Sequence, residues 1–152
     1  MTPAKLQQRI VAERAGWVEE MLAGIRSLPL GSHDEFVADP RNVASAESYL
    51  RRALEALLDL GRHVLGKGFG LAVTEYREIP RRLQAVGVLG KREADRLGTL
   101  AGYRNRMVHV YAEVTRPELY EICSKRLGDV DDVLDAILGW IRAHPEMIDT
   151  SL

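Results

Sequence analysis

The sequence predicts an all-α protein, an antiparallel bundle of four to five helices. Three observations predict it. Apolar residues recur at spacings of three, four and seven over long stretches, the repeat of a helix with one buried face. No segment alternates convincingly with period two, as a half-buried strand requires. Short stretches bearing proline and glycine separate the periodic runs, so consecutive helices should return beside one another. The 152 residues suit one domain spanning 1–152, and a chain of this size buries roughly 70% of its unfolded surface.

The first helix is expected over residues 3–28, with Leu6, Ile10, Trp17, Met21, Ile25 and Leu28 as its stripe. Pro29 and Gly31 end it. Ser32 with Glu35 three residues on reads as a capping box that starts a short helical turn. In "DPRN", Asp39 is a good N-cap and Pro40 suits the first helical position. A second long helix follows through Val43, Leu50, Leu54, Leu57, Leu58, Gly61, Val64 and Leu65. "GKGFG" (residues 66–70) reads as the main loop. A third helix lies within residues 74–86, with Pro80 marking its start and Gly87 its stop. A fourth spans residues 91–114. A fifth runs from about Pro117 to Ala143, where His144–Pro145 ends it.

Composition excludes several classes of function. Hydrophobic residues make up 46% and charged residues 28%, which is globular rather than disordered. The formal net charge of −1 is too low for a general nucleic-acid coat protein. A phosphate partner would need a local cluster of cations. Cys123 is the only cysteine, so neither an internal disulfide nor a cysteine zinc site can form, and a reducing cytoplasm is the natural setting. "MTPAKLQQRIVAERAGW" lacks the apolar core of a signal peptide, and no run of about 18 apolar residues occurs, so neither secretion nor a membrane span is expected.

The local anomaly is "RNRMVHVY", residues 104–111. At about 100° per residue on an unbroken helix, Arg104 falls in the middle of the stripe formed by Leu97, Leu100, Ala101, Met107 and Val108. Tyr111 shares that face. Asn105 and His109 are four apart and neighbour each other on its flank. Arg106 points the opposite way, toward solvent. A guanidinium on an apolar face is costly unless it is paired or meets a wet cleft. Two readings follow: an arginine salt-bridged to a carboxylate on another helix, or a site that handles phosphate.

Arg104, His109 and Tyr111 reproduce the R-x-x-x-x-H-x-Y motif of HepT-like toxins, a branch of the HEPN superfamily. "LAGYRNRMVHVYAEV" resembles the family's motif helix. "SHDEFVADPRNVASAESYLRRALEALLDLGRHVL" resembles its second helix and the entry to it, and "YREIPRRLQAVGVLGKREADRL" is similar to the approach to the motif. The resemblance implies a toxin of a type VII toxin–antitoxin pair, built as a bundle that dimerises and brings two motifs into one cleft. It implies metal-independent RNA cleavage without a cofactor, and pairing with a minimal nucleotidyltransferase antitoxin. In that family the antitoxin transfers AMP from ATP to the motif tyrosine, whose position here is Tyr111.

Elementary chemistry suits these roles. A histidine, with a reference pKa of about 6.5, moves protons at neutral pH, so His109 is the candidate base. The planar fork of Arg104 can hold two phosphate oxygens and stabilise charge that grows in the transition state. Asn105 can orient His109 or donate to the phosphate. A two-fold dimer would supply a second His109 as the acid. AMP on Tyr111 would set a phosphate against Arg104 and a nucleoside in the cleft. Alternatively, Tyr111 is a core tyrosine with a bonded hydroxyl.

Other features have plainer readings. "GKGFG" lacks the Walker pattern and reads as a flexible loop. Asp129, Asp131, Asp132 and Asp135 lack metal-site spacing and read as a solvated acidic face. His33, His63 and His144 read as surface residues or caps. Trp17 and Trp140 read as core or dimer interface. Arg81, Arg82, Lys91 and Arg92 either widen a surface for RNA or are simply solvated. Two alternatives to a nuclease stay open: a non-catalytic nucleotide-binding or AMP-accepting module, and a structural adaptor.

Overall fold

The computed structural model describes residues 3–109 and 113–151. Its elements are β1 (Leu6–Gln7), α1 (Gln8–Arg26), α2 (His33–Ala38), α3 (Pro40–His63), α4 (Ile79–Ala85), α5 (Lys91–Met107), α6 (Arg116–Glu121), α7 (Leu127–Ala143) and β2 (Ile148–Asp149). The expected all-α antiparallel bundle is the architecture, with α1, α3, α5 and α7 as its long helices. Among the described residues no helix is long and apolar enough to cross a membrane.

Helix α3 is the central post. Leu50, Leu54, Leu57, Leu58 and Leu60 are all fully buried, because α1, α4, α5, α6 and α7 all pack against it. Its start follows the sequence signals: Asp39 accepts from the Arg41 amide at 2.9 Å, with Pro40 in the first turn. Ser32 likewise caps α2 by accepting from the Glu35 amide at 3.1 Å. Thr115 does the same for α6 at 3.3 Å, so Pro117 lies inside the first turn rather than before it.

Two glycines set the close approaches. A Cβ on Gly24 of α1 would lie 2.8 Å from the Tyr49 ring of α3. A Cβ on Gly61 of α3 would lie 2.8 Å from Ile79 Cγ2 and 3.0 Å from Leu83 Cδ1 of α4. The second contact seats α4 against α3 and thereby places the segment that leads into α4.

The structure corrects several expectations. Helix α1 begins at Gln8, because Leu6–Gln7 pairs in parallel with Ile148–Asp149. A two-residue pairing is too short to leave a periodic trace. The buried stripe of α1 is Val11, Ala15, Val18, Met21, Leu22 and Ile25, and Trp17 is 39% exposed, so it is not a core residue. "GKGFG" is not simply a loop. Val64–Gly68 continues α3 as a π-helical turn, and the chain leaves it at Gly70, whose φ is +68°, a conformation that glycine adopts without a Cβ penalty. Residues 76–78 form a 3₁₀ turn before α4, and Gly87 (φ +82°) stops α4 as expected. The final helix is interrupted by a π turn at Ile122–Arg126.

The largest correction concerns α5, which ends at Met107 and not at residue 114. The His109 amide donates to the Arg106 carbonyl at 3.2 Å, a three-residue closure of the helix. The β-branched Val108 favours leaving the helix.

Candidate functional site

The last turn of α5 presents Arg104, Asn105 and Arg106, and the chain beyond it presents Val108 and His109. Across from them stands a polar stripe on α3: Arg51, Glu55, Asp59 and Arg62. Their spacings of four, four and three put them on one face. Residues 74–77, entering α4, form the third side. Together these elements enclose an open cleft of about 650 Å³. Arg104, Asn105 and His109 all line it, with Arg62, Tyr76 and Arg77.

Arg104 is held on three sides. Its Nε faces Glu55 Oε1 at 3.4 Å. Its Nη1 donates to Asn105 Oδ1 at 3.2 Å. Its guanidinium carbon lies 4.6 Å from the centre of the Tyr76 ring. The carboxylate partner is the first of the two readings of Arg104, and the cleft is the second; the geometry contains both. Glu55 is not exclusive, because Arg51 Nη1 donates to the same oxygen at 3.2 Å. Nη2 of Arg104 makes no hydrogen bond among the described residues, which leaves donors available to a phosphate.

Tyr76 joins this cluster to a second arginine. Its hydroxyl donates to Asp59 Oδ1 at 2.8 Å, and Arg62 Nη1 donates to the same oxygen at 3.1 Å. The Arg62 guanidinium lies 4.7 Å from the Tyr76 ring centre. Arg62 also donates from Nε to the Val73 carbonyl and from Nη2 to the Thr74 carbonyl, both at 2.9 Å. Burial, then the bond to Asp59, push the Tyr76 phenol up to about 12, so it stays protonated at neutral pH. The guanidiniums of Arg51, Arg62 and Arg104 face the carboxylates of Glu55 and Asp59. One positive charge is left over, suited to one phosphodiester.

The helix end at Met107 changes the expected pairing of Asn105 with His109. The two residues share a cleft but are not successive positions on one helix face. The Asn105 carbonyl oxygen is taken by Arg104, so Asn105 orients the arginine. His109 stands at the junction of this cleft and a second one of about 470 Å³, whose floor includes Val43, Met107 and Leu119. Tyr111, expected on the Arg104 face, lies outside the described residues.

Arg106 is not a solvated bystander. Its Nη1 and Nη2 clasp Glu118 Oε2 and Oε1 at 2.8 and 2.6 Å, and Nη2 reaches the Glu113 carbonyl at 3.3 Å. The hydrogen bonds between them hold the Arg106 pKa up and the Glu118 pKa down. This fork ties the end of α5 to the start of α6, across the segment that carries His109.

The remaining candidates are structural. The acidic face is largely ion-paired rather than merely solvated: Asp131 binds Arg26 at 2.6 Å, and Asp132 and Asp129 bind Arg96 at 2.5 and 3.7 Å. Among the described residues no group of three His, Cys, Asp or Glu is placed to hold a metal ion. His63 accepts from the Gln7 amide at 3.0 Å. His144 stacks on Trp140 at 4.2 Å, with Nδ1 2.7 Å from the Trp140 carbonyl oxygen. His33 meets the Tyr120 ring edge-on. Arg81 and Lys91 pair with Glu78 and Asp95. Burial pushes the Cys123 thiol up to about 12, so it is not an activated nucleophile.

Sequence reasoning missed Glu55, Arg62 and Tyr76. The signal for the first two was present: four polar residues on one face of an otherwise leucine-rich helix. Tyr76 had no such signal, since only the fold brings it under Arg104.

Solved structures share this fold. A tri-AMPylated Shewanella oneidensis HEPN toxin in complex with MNT antitoxin superposes with a TM-score of 0.77 at 21% identity, covering 86% of this chain and 97% of that one. A toxin–antitoxin structure with AMP-PNP gives 0.75 at 20% identity, covering 84% and 97%. YutE from Bacillus subtilis, a cytosolic protein of unknown function, gives 0.74 at 21% identity, covering 92% and 94%. No curated protein matches the sequence significantly. The model of the HepT-like family, described as ribonuclease HepT-like, matches residues 18–137, most of the chain and all of the site. The chain therefore belongs to the HepT-like ribonuclease family.

Proposed function

We propose that this chain is the toxin of a toxin–antitoxin pair, a metal-independent endoribonuclease of the cytoplasm that a minimal nucleotidyltransferase antitoxin silences by AMPylating Tyr111. The observation that carries the reading is the meeting of Arg104, Asn105 and His109 on one open cleft, with donors of Arg104 turned to no other described residue. Family membership and the structural likeness to toxins found with MNT antitoxin support it.

His109 removes the proton of the 2′-hydroxyl as its oxygen attacks the adjacent phosphorus. The new bond joins O2′ to phosphorus, and the bond to the 5′-oxygen of the next nucleotide breaks. Arg104 binds the non-bridging oxygens and stabilises the charge that builds on them. The leaving oxygen takes a proton from the partner's His109 across a two-fold dimer. The products are a 2′,3′-cyclic phosphate end and a 5′-hydroxyl end. In the silenced state the Tyr111 hydroxyl oxygen has attacked the α-phosphorus of ATP, releasing pyrophosphate. The attached phosphate competes for Arg104, and the nucleoside obstructs the cleft.

Co-expression with and without a minimal nucleotidyltransferase antitoxin, followed by intact-mass measurement and peptide mapping, tests the silencing step. A mass increase from one or more AMP groups mapped to Tyr111, with loss of RNA cleavage, is expected. Silencing without modification of Tyr111 would overturn that part of the proposal. The ion pair of Arg104 with Glu55 favours a second reading, a structural arginine in an adaptor. Arg104→Ala and His109→Ala variants that lose stability but no activity would establish it.

A further inference from the structure

We propose that Tyr76 is a positioning residue of the phosphate site: its ring holds the Arg104 guanidinium at the cleft without neutralising it. The proposal rests on the reading of Arg104 as the phosphate ligand. An arginine on an apolar helix face needs a partner. Glu55 is an incomplete one, at 3.4 Å and shared with Arg51. A second carboxylate would hold Arg104 more tightly but would cancel the charge that phosphate requires. An aromatic face attracts a cation through its quadrupole and carries no formal charge. At 4.6 Å the Arg104 guanidinium is well within the range of that attraction.

The ring is itself fixed in place. Its hydroxyl is anchored on Asp59, and Arg62 lies against it at 4.7 Å while tying down the chain at Val73 and Thr74. Glu55, Asp59 and Arg62 stand on one face of α3. The same rigid helix thus sets both the ionic and the aromatic support of Arg104. The hydroxyl serves as an anchor. The ring face does the positioning.

The test uses full-length unmodified protein with Tyr76→Phe and Tyr76→Leu, and a single-stranded RNA as substrate. Tyr76→Phe should keep kcat within about threefold, since the cation–ring contact remains. Tyr76→Leu should lose about tenfold in kcat with KM little changed, because Arg104 acts most strongly on the transition state. The Arg104 Nε–H resonance, assigned by its loss in Arg104→Lys, should keep its ring-current shift in Tyr76→Phe and lose it in Tyr76→Leu. Tyr76→Met substitutes for the leucine variant if thermal unfolding shows the latter to be misfolded. Equal losses in the Phe and Leu variants would overturn the proposal in favour of the hydroxyl. So would full activity in Tyr76→Leu, or an Nε–H resonance that does not respond. Intact RNA after incubation with wild-type protein would instead refute the nuclease reading, and the resonance would still decide whether Tyr76 holds Arg104.

Discussion

Gly61→Ala probes the contact that places Tyr76. The added Cβ would lie 2.8 Å from Ile79 Cγ2 and 3.0 Å from Leu83 Cδ1. Ordinary carbon–carbon contacts sit at about 3.5–4.0 Å, so Ile79 must retreat by about 1 Å. Both side chains are fully buried and have little room to do so. Overpacking of this kind costs about 1–3 kcal/mol. Alanine in a helix interior returns about 1 kcal/mol relative to glycine. The net expectation is a loss of about 1 kcal/mol. The stronger prediction is a coupling. Ile79→Ala alone should cost about 2–5 kcal/mol, but it removes Cγ2 and gives Leu83 room to turn. In that background Gly61→Ala should be neutral or should stabilise by up to about 1 kcal/mol. The interaction energy is then about 1–2 kcal/mol. Urea unfolding of the four proteins, read as midpoints at constant m, measures it. Additive effects would refute the claim that Gly61 exists to seat α4.

The fork between Arg106 and Glu118 should appear in a pH series. Glu118 titrates below its usual 4.5 because of the hydrogen bonds from Arg106, so the contribution is present above that value and is lost as pH falls through the native pKa. Thermal unfolding should show Glu118→Gln less stable than wild type at neutral pH, with the difference shrinking as pH falls below 4.5 and through the lower native value; in the same variant RNA cleavage should fall, because the fork spans the segment that holds His109. His63 makes a second pH prediction. Burial, then the charges of Lys67 and Arg14, lower its pKa, and its unprotonated Nε2 accepts from Gln7. Its contribution should be complete above about pH 6.5 and should decline as pH falls from there through the lower native value. Thermal midpoints between about pH 8 and about pH 5 should show this decline in wild type and a flatter profile in His63→Gln.

The helical architecture was legible because its signals are local. Ser32, Asp39, Pro40, Pro80 and Gly87 each do in the structure what their side chains or backbones allow. The two-residue pairing of Leu6–Gln7 with Ile148–Asp149 was not legible, since it joins opposite ends of the chain. The stripe of α1 was displaced because Trp17 is large and apolar yet faces outward. At the site, the place of Arg104 on an apolar stripe and the resemblance to the HepT-like motif singled out Arg104, Asn105 and His109, and all three line one cleft. Their mutual geometry was misjudged because an unbroken helix was assumed beyond Met107. Arg106 was misassigned for the same reason: its partner Glu118 belongs to the next helix. Glu55, Asp59 and Arg62 were legible as a polar stripe on α3, but their meeting with Tyr76 and Arg104 depends on the packing of α3 against α4 and α5, which no single stretch of sequence reveals.

Arg104 and His109 are proposed to cleave RNA without a metal. The direct measurement is cleavage of a defined single-stranded RNA by unmodified protein in excess EDTA, with the end groups of the products identified. The products should carry 2′,3′-cyclic phosphate and 5′-hydroxyl ends, with the rate down by about 100-fold or more in His109→Ala at unchanged thermal stability. Cleavage abolished by EDTA, a 5′-phosphate product, or full activity in His109→Ala would contradict it.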